Sequence, residues 1–331
     1  NKEIISEVLA QEVESAVARK NSAENWYSST LQEAVAVAAL IHPELVNNTE
    51  ARNTFLMGVA ITSSGTTVAE NASRAEEVYK SYKKNGNKFP VQGWGVNSAA
   101  MEKGFKQFND MKAKFGATVL GEFLHTEFTV AELNLLGFSI SGENKDTVIY
   151  GSAVFGPKVG QAFFQNLSGN FEPLTMDRWW MRTWGRIAGS LAPEGWPAAQ
   201  RQAARLRELI ATNQPEAVAK GFTLEELESS DAKLAKFAYE THKKYARERF
   251  KHKTDLNRAA KALDNALRDP VVAPRNGGER AWMREVMSEA ATKLKDRGIN
   301  TNVASMQALL WYSEKELYIT NGVGNERSKP T

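Results

Sequence analysis

Apolar residues recur every three to four positions through most of the chain, as in Leu31, Val35, Val37, Ala38 and Ile41, and again in Val286, Ala290 and Leu294. That spacing puts them on one face of a 3.6-residue period and predicts amphipathic helices. Alternating runs with hairpin dipeptides are nearly absent, so the pattern predicts an all-α chain of a dozen or more helices. Breaks fall where Gly, Pro and Asn collect: "HPELVNN", "NGNKFPVQGWG", "GFSISGENKD", "LSGNFEPLT", "LAPEGWP", "RDPVVAPRNGG" and "NGVGNERSKPT". No repeat, low-complexity tract or Gly/Ser linker interrupts the pattern, so any second domain is expected to pack against the first.

Composition narrows the function classes. The 331 residues are 42% hydrophobic and 24% charged, which suits a folded globular protein. No apolar run approaches a membrane span and the first residues, "NKEIISEVLAQEVESAVARK", are charged rather than signal-like, which reads as a cytoplasmic protein without a membrane partner. With no cysteine, disulfides and thiolate metal sites are excluded. The histidines His42, His125, His242 and His252 lack the i, i+4 spacing of a helical metal site, so neither metal nor cofactor is expected.

The net charge of +3 is small, but its distribution is uneven. "KSYKKNGNK" (80–88) carries Lys83, Lys84 and Lys88 with no acid, and "HKKYARERFKHK" (242–253) has a single Glu among its cations. Such clusters bind phosphates or form solvated helix faces.

Candidate chemistry concentrates in "VFGPKVGQAFFQNLSGNFEPLTMDRWWMRTWGR" (154–186). Gly156 can take positive φ and Pro157 suits the first turn of a helix, so "VFGPKVG" predicts a tight turn between two short helices. The free amides of the second helix form a seat for phosphate. Thr175 reads as the N-cap of the next helix, with Asp177 in its first turn. Trp180, Met181 and Trp184 then share the face of Asp177, and Arg178, Arg182 and Arg186 form a separate stripe. The turn "APRNGGERAW", with Arg275, Gly277, Gly278 and Arg280, is a second glycine-plus-arginine helix start.

This segment resembles the helix-hairpin-helix DNA glycosylase superfamily. The signature of that family is a Gly-x-Lys hairpin followed about twenty residues later by an aspartate that opens a helix, with an arginine nine positions on. Gly156, Lys158, Asp177 and Arg186 occupy those places. Val154 replaces the usual first hairpin glycine, and the common histidine after the aspartate is missing from "MDRWWMR". "LMGVAITSSGTTVAENASRAEEVYKSY" (56–82) is similar to the family helix whose polar turn inserts beside a flipped base.

The resemblance implies a helix-hairpin-helix core over 52–190, preceded by N-terminal helices over 1–51. A large C-terminal helical extension, 191–331, packs on the core. It implies a hydrolase that binds double-stranded DNA, flips a modified base and excises it. Asp177 would be the catalytic carboxylate. Lys158 would be either an amine giving lyase activity or a phosphate contact. Gly156, Val159 and Gly160, Ser63, Ser64, Gly65 and Thr66, Lys83, Lys84, Lys88 and Arg186 would contact DNA, and Trp179 and Trp180 would wall the base pocket. The alternatives are a transferase-like enzyme related to the phage-associated alpha-glutamyl/putrescinyl thymine pyrophosphorylases, acting on hypermodified thymine, and a non-catalytic DNA-binding module. Phage DNA modification or defence against phage is the setting implied.

Overall fold

The computed structural model describes residues 1–19, 26–63, 68–93, 99–189, 196–212, 221–248, 254–268 and 273–320. Its elements are α1 (Lys2–Arg19), α2 (Trp26–Ile41), α3 (Glu44–Asn47), α4 (Thr49–Thr62), α5 (Val68–Lys84), α6 (Ala99–Phe115) and α7 (Ala117–His125), then β1 (Glu127–Thr129), α8 (Val130–Leu135) and β2 (Val148–Tyr150). A 3₁₀ turn (Gly151–Phe155), a π-helical turn (Val159–Phe164) and α9 (Gln165–Leu167) follow. The rest comprises α10 (Arg178–Ala188), α11 (Trp196–Thr212), α12 (Leu224–Ser229), α13 (Asp231–Arg247), α14 (Asp255–Arg268), α15 (Gly277–Asp296) and α16 (Val303–Thr320). The chain is predominantly helical, as the periodicity predicts. The departure is a short antiparallel ribbon in which Phe128 pairs with Ile149, which the sequence pattern did not announce because each strand has only three residues.

The chain forms two compact units, Asn1–Thr183 with Ala273–Thr331, and Trp184–Val272. In the first, α4 is the central helix. Asn48 starts it by accepting a hydrogen bond from the Ala51 amide at 2.9 Å, and Phe55, Leu56, Met57, Ala60 and Ile61 are all buried. Around it Phe89 packs its ring 4.9 Å from Tyr82, 4.8 Å from Phe105 and 5.2 Å from Phe108. Burial of that many large apolar side chains, about 1.5–3 kcal/mol each, holds this layer together. The second unit encloses Leu206, Leu234, Phe237 and Leu263, with Phe222 edge-on to Phe237.

These units differ from the boundaries read in the sequence. The 51/52 boundary falls inside α4. Of the expected extension, residues 273–320 fall in the same unit as the N-terminal helix: Leu9 and Val13 of α1 and Val286, Met287 and Leu294 of α15 are fully buried. Arg297 bridges Glu7 at 2.6 Å and Glu14 at 3.0 Å, and Ser6 donates to Glu289 at 2.8 Å. Sequence distance hides such pairing, because each helix shows only its own apolar face.

Candidate functional site

The hairpin is a close helix pair. Gly156 turns the chain with φ +106, and Gly160 sits where a Cβ would lie 1.7 Å from the Ser152 carbonyl oxygen. The Ser152 hydroxyl donates to the Gly160 carbonyl at 2.7 Å, and the Gln165 amide donates both to that hydroxyl and to the Leu124 carbonyl. Gly160 is therefore a buried packing residue, its amide bonded to the Gly156 carbonyl at 3.0 Å, and Val159 is half-buried against the core. Lys158 stands at the head of the π-helical turn and is partly exposed.

The connection to α10 is pinned from the far end of the chain. The Thr175 amide donates to Gln307 Oε1 at 2.8 Å, and Gln307 Nε2 donates back to the Thr175 carbonyl. The cap reading changes accordingly. Asp177, rather than Thr175, caps α10, its Oδ1 accepting from the Trp180 amide at 2.8 Å. Both residue types cap well, but the Thr175 hydroxyl lies 3.2 Å from the Asn166 side-chain amide and is engaged there.

The electrostatics of Asp177 set it apart from an ordinary cap. Burial pushes its pKa up, and the Trp180 amide, the Lys158 ammonium, the Trp179 amide and the Lys315 ammonium pull it down. Lys315 comes from α16. Burial lowers its pKa while Asp177 raises it. Its Nζ lies 3.8 Å from the Trp311 ring centroid and 5.7 Å from that of Trp179, and the Arg182 guanidinium lies 4.3 Å from Trp179. The partly buried carboxylate is thus favoured in its charged form by amines from two distant segments, and one of them, Lys315, lies over two indoles. No spacing rule could have revealed Lys315, because 138 residues separate it from Asp177 (315 − 177).

The other expected residues are scattered. Trp180 is 1% exposed and its indole N–H points at Met283 Sδ at 3.5 Å, so it is core; Trp179 is partly exposed, with the Arg182 and Lys315 cations over its ring. Met181 and Trp184 are likewise buried. Ser63 ends α4 with its hydroxyl on the Ala60 carbonyl, while Ser64, Gly65 and Thr66 lie outside the described residues. Lys83 is tied down by Glu44 at 2.8 Å and by His42 Nδ1 at 3.0 Å. Lys84 and Lys88 are exposed, as is Arg186 in the last turn of α10.

Among the described residues no three His, Asp or Glu side chains converge on a metal-sized site, and no helix is long and apolar enough to cross a membrane. Comparison of the chain with protein-family models, with curated proteins and with solved structures finds no match.

Proposed function

We propose that the protein is a DNA glycosylase that excises a modified base, with Asp177 as its catalytic carboxylate. The observation that carries this reading is the partly buried Asp177 carboxylate, fixed as the cap of α10 after a tight hairpin and favoured in its charged form by the Lys158 and Lys315 cations. Cleaving an N-glycosidic bond builds positive charge on the sugar, and a fixed, poorly solvated carboxylate stabilises that charge far better than water does. The cap hydrogen bond sets its orientation before substrate arrives. Base extrusion needs a stacking wall, a role that suits Trp179 and Trp311. Lys158 acts either as an amine that attacks C1′ or as a phosphate contact. The deciding assay incubates the protein with a panel of modified duplexes and reads released base and abasic sites by mass spectrometry. Release dependent on an added amine or pyrophosphate would instead favour the transferase, and binding without release the non-catalytic module.

Two further results are expected. Turnover requires ionised Asp177, whose raised pKa places the acid limb of the pH–rate profile above the ordinary aspartate range. Lys315→Met removes a charge that favours ionisation and moves that limb higher still; an unmoved limb in single-turnover assays counts against the pairing. DNA binding should weaken with salt, and removing the exposed Lys84 and Lys88 should cut the slope of log K against log salt by about 0.9 for each lost phosphate contact. An unchanged slope in fluorescence anisotropy places the DNA path elsewhere.

A further inference from the structure

The second glycine-and-arginine turn is unaccounted for by the Asp177 site. Asn276 caps α15 through the Glu279 amide at 2.9 Å, and Gly277 is packed so tightly on the loop Gly142–Asn144 that a Cβ would lie 2.6 Å from the Asn144 nitrogen. Arg280, the fourth residue of α15, is 9% exposed, and its guanidinium lies on the same loop, beside Gly142. Helical side chains lean toward the N-terminus of their helix, which brings this guanidinium alongside the first turn.

The charges there do not balance. Glu143, with its side chain 2% exposed, has both carboxylate oxygens engaged by Arg284, at 3.0 and 2.5 Å. Arg280 Nε stays 4.0 Å from that carboxylate and has no hydrogen-bond partner, while Nη1 reaches only the Met176 sulfur at 4.0 Å. Glu279 is occupied by the Arg275 amide at 2.5 Å. Nε is thus a buried donor with no hydrogen-bond partner beyond the distant Glu143 carboxylate, which is costly, and burial pushes the pKa of Arg280 down. An anion would supply the missing acceptors, and the helix dipole behind it has the matching sign.

We propose that Arg280 and the first turn of α15 form a binding site for a phosphate group. Phosphate suits it better than a carboxylate, because its several oxygens can meet both the guanidinium fork and helix amides. The phosphate belongs either to a free monoester or to a nucleic-acid diester. Met176, which Arg280 touches, adjoins Asp177 in sequence, so an occupied site would lie one residue from the capped carboxylate. This inference does not depend on base excision, because inorganic phosphate alone tests it.

The experiment titrates inorganic phosphate, deoxyadenosine 5′-monophosphate and a short unmodified duplex into the intact protein by calorimetry, at ionic strength held constant with chloride and with acetate as the carboxylate control. Wild type should bind inorganic phosphate over acetate, Arg280→Met should abolish this, and Arg280→Lys should weaken it about tenfold, since the fork is lost while the charge remains. Binding of the monophosphate lost in Arg280→Met identifies a free monoester, whereas an effect confined to the duplex identifies the diester. If Arg280→Met does not fold, the lysine variant and the acetate control decide. No binding beyond chloride, equal binding of acetate, or phosphate affinity unchanged in Arg280→Lys overturns the proposal.

Discussion

Asp177→Asn is expected to lower base excision about a hundredfold to a thousandfold while leaving DNA affinity unchanged. The amide keeps the shape and the cap, because asparagine is as good an N-cap as aspartate, and removes only the charge that meets the developing cation. Stability should move the other way. A carboxyl whose folded pKa is raised stabilises the fold below the ordinary aspartate pKa, and that contribution is lost as pH rises through the folded value. Wherever Asp177 is ionised its burial opposes folding, and the neutral asparagine relieves that cost. Asp177→Ala lacks the cap and gives back about 1 kcal/mol of that gain. Single-turnover kinetics and denaturant melts at neutral and acidic pH read both effects. Near-wild-type excision would remove Asp177 from the reaction, and an asparagine variant less stable than the parent at neutral pH would mean that burial does not raise its pKa.

Gly160→Ala is the substitution expected to damage the fold most. The added methyl would sit 1.7 Å from the Ser152 carbonyl oxygen, and that neighbour is backbone, which cannot swing aside. The two arms of the hairpin must separate, breaking the bonds from Ser152 to Gly160 and from Gln165 to Ser152. Overpacking of this kind costs about 3 kcal/mol. Gly156→Ala is the control: nothing lies within 4 Å of its Cβ, so it bears only the strain of φ +106, about 1–2 kcal/mol. Urea melts should rank the two in that order, and the reverse order would mean that the hairpin arms are not packed this closely.

The helical class was legible in the sequence, because burying one face of each helix imposes a local three-to-four period that survives any tertiary arrangement. The hairpin turn was legible for the same local reason, since Gly156 and Pro157 limit their own backbone whatever surrounds them. A helix start near Asp177 followed from cap chemistry within three residues. What crosses the chain was not legible. Lys315 against Asp177, Gln307 against Thr175, and Arg297 against Glu7 join segments more than a hundred residues apart, and no periodicity records which apolar faces meet. The fates of the tryptophans show the same limit: Trp179 and Trp180 are adjacent in sequence and chemically alike, yet helix phase turns one toward Arg182 and Lys315 and the other onto Met283. Local sequence thus determined that helices form and that one begins near Asp177, and the tertiary packing alone decided how far that carboxylate is buried and which amines answer its charge, because desolvation and Coulomb attraction depend on distance in space.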